Sequence, residues 1–502
     1  MIVKKLNESY SELDDDLKIL QEIHNYLKVQ REGAYFEHLV KAGFKSPYDF
    51  FSVPKDKKLI VLNGHLELLA GKFGIKYEPE ISDFSSSELD EFLNSVRTIL
   101  PFKPHDFQEL AFRESILNVK QVNKMATGSG KSLTISLIAE FFRRKNKKGL
   151  LLVPNINLLV QFKNDIKDYN LNDLYENTHV IGGGNSEKHF DKSLTISTWQ
   201  SLLNFRTELD ELDYVITDEC HRFASAETSD IVSSTVNCKY KWGFTGSLPE
   251  NLSMKMQLIG LFGFPKTYIT SSELIQRGLG TPIRINTLIF NYSNNDKAIF
   301  KGTKNYTEKL KFVKDHEKRN SFIVNLSSKL RNKGNSLILF QHTEHGKSLY
   351  IDIMNNLFPD VQIENKNITG KKSYEFQEQY GVYFLNGEDD AVTRERTRKV
   401  LEGHDNALLV ANYALLSTGA NIKKLHNLVF ASPLKSYTTI TQSLGRGMRL
   451  HESKTEFVVY DLVDNFSFKK PGEIFYKQYQ HRKKTSYNPE EYPINEVNFN
   501  LF

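Results

Sequence analysis

The stretch Met125-Ala126-Thr127-Gly128-Ser129-Gly130-Lys131-Ser132 decides how this chain is read. A glycine-rich turn ending in Gly-Lys-Ser leaves backbone N–H groups free to cradle phosphate oxygens. Lys131 adds positive charge and Ser132 a hydroxyl suited to magnesium. Met125 stands where the general pattern has its first glycine. Far downstream, Asp218-Glu219-Cys220-His221 places two carboxylates at the end of the apolar run Tyr214-Val215-Ile216. One can hold a metal and the other can polarise a water. Either string alone also fits an ordinary loop or a solvated helix start. Both together, each ending a predicted strand and in this order, describe a protein that binds and hydrolyses a nucleoside triphosphate.

Short apolar strands alternate with helical stretches after the loop. Leu150–Val153, Leu194–Ser197, Tyr214–Thr217 and Trp242–Thr245 are nearly continuous apolar runs, as expected of strands covered by helices on both faces. Leu133–Phe142 has helical spacing. The pattern then restarts, with Ser336–Phe340, Val382–Leu385, Ala407–Val410, Leu428–Ala431 and Phe457–Leu462 as a second set of buried strands. Leu274–Ile285, with Gly278, Gly280 and Pro282, reads as the connection. Two α/β domains with one phosphate loop imply a nucleotide held in the cleft between them.

The first hundred residues differ. Tyr10–Gln30 reads as an amphipathic helix, Leu59–Leu62 as a strand, Asn63-Gly64 as a turn, Leu66–Phe73 as a helix and Leu89–Leu100 as another. After Asp464 come Lys469-Lys470, Lys477 and Arg482-Lys483-Lys484, interleaved with Phe468, Phe475, Tyr476 and Tyr479. This basic-aromatic tail suits DNA binding or packing on the second domain.

The chain has 502 residues, more than one ordinary core accommodates, with 39% hydrophobic and 25% charged residues. No apolar run approaches the ~20 residues of a membrane span, so no membrane partner is expected. Met1–Asp16 has no apolar core and does not read as a signal peptide. Two cysteines, Cys220 and Cys238, give neither a disulfide framework nor a zinc spacing and point to a reducing cytoplasm. The net charge of +5 excludes a uniformly basic surface, so nucleic acid would be held by local patches.

Further short patterns fall into order around the two motifs. Gln108 precedes the loop, where it could read an adenine edge. Pro154 and Asn155 follow it, then Gly182-Gly183-Gly184, Thr198-Trp199 and Thr245-Gly246-Ser247. The second half holds Phe340-Gln341, Ser417-Thr418-Gly419-Ala420-Asn421 and Gln442-Ser443-Leu444-Gly445-Arg446-Gly447-Met448-Arg449. Two arginines one helical turn apart suit contact with a γ-phosphate. From Pro104 to Asp464 the chain resembles helicase superfamily 2. The form Asp-Glu-Cys-His, the Thr-Gly-Ser motif and the size resemble the UvsW-type phage helicases in particular, and Tyr48–Ser52, Leu59–Asn63 and Leu69–Gly74 are similar to the small N-terminal module of that group.

The resemblance implies an α/β fold of two tandem RecA-like parallel-sheet domains with a small N-terminal α+β module. The divisions are 1–100 (accessory, DNA-binding), 101–280 (ATP-binding), 281–465 (second RecA-like domain) and 466–502 (tail). It implies ATP and Mg2+ as cofactors. Thr127, Gly128, Ser129, Gly130, Lys131 and Ser132 would bind nucleotide with Gln108, Gly419 and Asn421. Ser132 and Asp218 would hold the metal and Glu219 the attacking water. Arg446 and Arg449 would be arginine fingers, with Gln442 beside them. His221, Thr245, Gly246 and Ser247 would couple hydrolysis to DNA, and Pro154, Asn155, Gly183, Thr198, Trp199, Gln341 and Thr418 would touch it. Triple glycine also fits a flexible turn, and Ser/Thr pairs also cap helices.

The reading that follows is an ATP-driven DNA helicase that remodels branched DNA, migrating four-way junctions and regressing forks. It is expected to be monomeric and, if phage-encoded, to work in the host cytoplasm. The N-terminal module would confer the preference for branched DNA rather than catalysis. Competing readings are the motor of a restriction or nuclease system, an RNA unwindase, and a nucleotide-gated DNA clamp. The second motif is not Asp-Glu-Ala-Asp, which argues against an RNA helicase of that class.

Overall fold

The computed structural model describes residues 1–27, 58–182, 189–202, 205, 208–224, 226–364, 368, 373–387, 389, 391–413, 422–468 and 473–502. They form two compact units, Met1–Ile269 and Thr270–Phe502. Tyr48–Ser52 and Lys469-Lys470 lie outside the described residues.

The first unit opens with three antiparallel strands, β1 (Ile2–Lys5), β2 (Tyr10–Asp14) and β3 (Lys58–Leu62), in the order β1-β2-β3. Here the structure corrects the helix expected from Tyr10. Residues Tyr10–Asp14 pair with β3 in the register Tyr10↔Leu62, and the helix begins only at Leu17. The cause is local. Ser11 and Leu13 alternate inward, as a half-buried strand requires, and the Asp16 carboxylate accepts from the Lys18 N–H at 2.9 Å to start the helix. Leu13, Leu20, Ile23, Leu27, Leu59, Val61 and Leu69 make the small core of this module.

The module is locked to the sheet that follows. Gly64 donates its N–H to the Gly260 carbonyl at 3.1 Å, and a Cβ on Gly64 would fall 1.9 Å from the Ile259 carbonyl oxygen. His65 meets the Met256 carbonyl at 2.8 Å, and the Lys241 ammonium donates to Ser9 Oγ at 2.6 Å. Burial pushes Lys241 down to about 7. The segment that leads into the large sheet is equally anchored. Phe84 packs edge-on to Phe141 and Phe142, Phe92 stacks on Phe112, and Arg97 forms a forked bond with Glu109.

The large sheet of this unit is fully parallel, with strands β4 (Lys120–Met125), β5 (Gly149–Val153), β6 (Thr178–Ile181), β7 (Leu194–Thr198), β8 (Tyr214–Asp218), β9 (Tyr240–Thr245) and β10 (Pro265–Ile269). Their order is β10-β4-β9-β8-β5-β7-β6. The second unit repeats the plan with β11 (Ile283–Asn291), β12 (Ser336–Phe340), β13 (Val382–Leu385), β14 (Leu408–Asn412), β15 (Asn427–Phe430), β16 (Phe457–Asn465) and β17 (Ile494–Asn500), ordered β13-β14-β12-β15-β16-β11-β17 and again all parallel. Two doubly wound parallel sheets preceded by a small α+β module are the architecture expected from the sequence.

The segment after Asp464 belongs to this second sheet. It forms the helix Ile474–Arg482 and then β17, which pairs with β11 from Ile285↔Ile494 to Asn291↔Asn500. Phe475, Tyr479, Arg482 and Tyr487 are buried. Of the basic-aromatic residues, Phe475, Tyr479 and Arg482 are interior, as packing on the second domain requires, whereas Phe468, Lys477 and Lys484 are exposed.

Candidate nucleotide-hydrolysis site

In a parallel sheet the functional groups gather beyond the carboxyl ends of the strands. Here the phosphate loop leaves the end of β4, Asp218 ends β8, Thr245 ends β9, Thr198 ends β7, and Pro154 and Gly182 follow β5 and β6. The register Asp218↔Phe244 and Lys124↔Thr245 sets the three ATP-related segments side by side.

Gly128 (φ +86°) and Gly130 (φ +75°) take left-handed backbone conformations that residues with a Cβ rarely adopt. They turn the chain into the helix Lys131–Arg144, whose N-terminus faces the loop. Lys131 Nζ donates to the Met125 carbonyl at 3.3 Å, and Ser132 Oγ lies 2.7 Å from the Tyr169 hydroxyl. Gln108 is buried and used at both ends: Nε2 donates to the Ser129 carbonyl at 2.8 Å, and Oε1 accepts from the His105 N–H at 2.8 Å. In this structure it braces the loop from behind.

Glu219 occupies the left-handed region at φ +50°, an unusual position for a glutamate. Such strain costs about 1–3 kcal/mol and persists only where neighbours over-determine it. The neighbours are visible: the Arg222 N–H donates to the Glu219 carbonyl at 2.9 Å, and Thr245 Oγ1 lies 3.4 Å from Glu219 Oε2. His221 Nδ1 sits 2.9 Å from Thr245 Oγ1 and 3.3 Å from Glu219 Oε2. Thr245 Oγ1 donates to the Ser247 carbonyl at 2.7 Å and accepts from the Ser247 N–H at 3.1 Å. The four residues read from sequence as coupling therefore form one hydrogen-bonded unit with Glu219, apart from Gly246, which fills another need. A Cβ there would lie 2.9 Å from Thr127 Oγ1 and 3.6 Å from Lys131 Nζ, so glycine lets the turn press on the phosphate loop.

The two carboxylates have opposite electrostatics. Burial, reinforced by the Glu219 charge, raises Asp218 above the ordinary carboxylate range. Burial also pushes Glu219 upward, but the hydrogen bond with His221 and the charges of Lys131, His221 and Arg222 outweigh it and hold Glu219 low. Glu219 is therefore the ready carboxylate. Asp218 Oδ1 is buried and accepts no hydrogen bond among the described residues, which leaves it for a cation. Cys220 packs inward, with Gly243 giving it room.

The remaining positions of the first unit lie beyond the same strand ends. Asn155 caps the helix Ile156–Asp168 by accepting from the Leu158 N–H at 3.2 Å, and Thr198 Oγ1 lies 3.0 Å from Ser201 Oγ. Trp199 opens the short helix that follows and packs partly into the core. In the second unit, the Gln341 N–H donates to Ser432 Oγ and its carbonyl accepts from Asn412 Nδ2. Gln442 and Arg446 lie on the helix Tyr437–Gly447, capped by Ser436, and Arg449 lies just past its end. Gly447 is required there, since a Cβ would enter the Phe457 ring. Gly183, Thr418, Gly419 and Asn421 lie outside the described residues. Sequence reasoning missed Tyr169, Arg222 and the bracing role of Gln108. No local pattern links Tyr169 to a loop so far away in the chain.

Gly246→Ala is expected to weaken ATP binding about tenfold while leaving the melting temperature near wild type, because the added methyl displaces the loop rather than the core; overpacking of this kind costs about 1–3 kcal/mol. Equilibrium nucleotide titration beside thermal melting checks it.

A glycine-turned loop, a low carboxylate and a turn bonded to that carboxylate are thus gathered on one sheet. That arrangement suits an ATP-hydrolysing enzyme. Residues 102–250 match the family described as the res subunit of type III restriction enzymes. The ATP-dependent DNA helicase uvsW of Enterobacteria phage T4 is 30% identical over 433 residues, covering 84% of this chain and 82% of that protein. The crystal structure of T4 UvsW aligns over 100% of this chain and 99% of its own at 25% identity, with a TM-score of 0.45. A fragment of an HsdR subunit of a type I restriction enzyme from Vibrio vulnificus shares the fold, with TM-score 0.59 and 18% identity over 87% of this chain and 74% of that one. The chain belongs to the UvsW family of ATP-dependent DNA helicases, and DNA is its partner. Among the described residues no helix is long and apolar enough to cross a membrane.

Proposed function

We propose that this helicase remodels branched DNA, regressing forks and migrating four-way junctions in recombination and repair. The observation that carries this reading is the docking of the N-terminal module. It attaches through Ser9–Lys241, Glu80–Lys120 and Gly64–Gly260, at the amino ends of β4 and β9 and the last turns of the helix Leu252–Phe262. The phosphate loop lies at the other end of β4, about 20 Å away at 3.3 Å per residue. A second surface fixed to the motor yet clear of its ATP edge suits a machine that pulls one duplex while another arm is held.

The site residues take the following roles. Lys131 and the loop N–H groups hold the phosphates, and Glu219 accepts the proton of the attacking water and aims it. Ser132 and Asp218 would hold Mg2+, which would neutralise phosphate charge. His221, Thr245 and Ser247 carry the state of Glu219 to the DNA-facing edge, where Pro154, Asn155, Thr198 and Trp199 meet the strand. Gln341 serves the same purpose in the second unit. Arg446 and Arg449 supply the charge that a transferring phosphoryl group demands, and Gln442 adds neutral hydrogen-bonding groups.

ATP hydrolysis and strand displacement with single-stranded, duplex, forked and four-way DNA, beside matched RNA, test the reading. Forked and four-way DNA should stimulate both most strongly. Equal stimulation by unbranched DNA, or stronger stimulation by RNA, overturns it.

A further inference from the structure

Ser132 Oγ makes a single side-chain hydrogen bond among the described residues, 2.7 Å to the Tyr169 hydroxyl, and Tyr169 spends its hydroxyl on nothing else there. We infer that Tyr169 is a positioning residue that fixes the Ser132 hydroxyl in the orientation needed to ligate magnesium. The inference rests on the assignment of Ser132 as a magnesium ligand.

The reason lies in where the serine proton must go. A hydroxyl that ligates Mg2+ does so through an oxygen lone pair and keeps its proton. Contact with the cation makes that proton a better donor, so it needs an acceptor pointing away from the metal. Tyr169 Oη supplies one at hydrogen-bond distance. Without it the hydroxyl rotates freely, and its lone pair is presented to the cation only part of the time. Outer partners of this kind typically contribute about 10- to 100-fold to metal affinity.

The phenol is itself well held. Tyr169 caps the helix Ile156–Asp168, with its N–H donating to the Asp165 carbonyl at 2.9 Å, and its ring meets Phe102 edge-on at 5.9 Å. The next residue, Asn170, turns left-handed (φ +59°) and donates its side-chain amide to the Ile99 carbonyl at 3.3 Å. Burial, with Asp165 nearby, pushes the phenol up to about 12, so it stays neutral at working pH. The same helix starts at Asn155, at the edge proposed to meet DNA. The orientation of Ser132 is thereby tied to an element that begins at that edge.

The test is equilibrium binding of a fluorescent ATP analogue to the full-length protein across a magnesium titration, with no DNA present, for wild type, Tyr169→Phe, Ser132→Ala and the double variant. Tyr169→Phe keeps the ring and its packing and removes only the hydroxyl. Its magnesium midpoint should rise about 10- to 100-fold, with unchanged affinity in EDTA and an unchanged melting temperature. The double variant should match Ser132→Ala alone, since two residues acting through one contact are not additive. A wild-type midpoint in Tyr169→Phe beside a raised one in Ser132→Ala overturns the positioning role. So does an equal loss of affinity in EDTA, or additive effects. A normal midpoint in Ser132→Ala removes the Ser132 assignment itself, and this inference with it.

Discussion

Glu219→Gln should bind ATP about as tightly as wild type and hydrolyse it roughly 10³-fold more slowly, within the 10²–10⁴-fold range of a lost general base. The amide has nearly the shape of the carboxylate, so the left-handed backbone at φ +50° and the Arg222 bond to the Glu219 carbonyl survive. What disappears is the negative charge held low by His221, Lys131 and Arg222. A neutral amide cannot take the proton from water, and the loss of ~4 kcal/mol falls on the chemical step alone. Lys131→Ala should behave differently, losing nucleotide affinity because its charge acts on the bound phosphates. Single-turnover hydrolysis beside equilibrium nucleotide binding separates the two. Near-normal turnover in Glu219→Gln would assign the water to another group, and weakened ATP binding in that variant would mean the amide had disturbed the loop.

That the expected loop and carboxylate pair fall at strand ends has a physical basis. A phosphate cradle needs glycines at left-handed positions, and Gly128 and Gly130 are found there. A metal-and-water pair needs two carboxylates at a strand end, which is where β8 stops. Such demands leave fixed spacings. The strands beside them were legible where they are apolar throughout, as in β5, β8 and β12. β4 was not. Its Gln121 and Asn123 are buried polar residues that bond to each other, to Tyr268 and to Ser115, so no continuous apolar run marks the strand. β10 was missed for the opposite reason, since Pro265, Lys266 and Thr267 lie exposed on an edge. Long-range partners leave no local trace, which is why the contact of Tyr169 with Ser132 emerges only in three dimensions. The two readings of the last residues, DNA binding or packing, stayed open in the sequence for the same reason: a lysine-and-tyrosine pattern does not say which of its members is buried.

Arg482 shows what that last segment does, and its loss should strongly destabilise the second unit. The guanidinium is fully buried, donating to Asp461 Oδ1 at 2.8 Å and Oδ2 at 3.1 Å and to the Leu434 carbonyl. Tyr487 adds a third bond to Asp461 at 2.8 Å. Asp461 sits in the middle of β16, so the pair pins the helix Ile474–Arg482 across the sheet. Arg482→Ala leaves the Asp461 charge buried with its main partner gone, which typically costs about 3–5 kcal/mol. At roughly 2–4 °C per kcal/mol for a unit of this size, melting of the second unit should fall by about 10 °C. Truncation after Asp464 goes further, since it also removes β17 from the edge of β11 and Phe475 from the core. The truncated second unit should fail to fold, and proteolysis should digest it while sparing Met1–Ile269. A truncated chain with a wild-type melting curve and only weakened, less salt-sensitive DNA binding would instead make the segment a nucleic-acid surface. Because Arg482 cannot reach a phosphate without breaking the pair that holds it, loss of fold is the expected outcome, and loss of DNA binding its consequence.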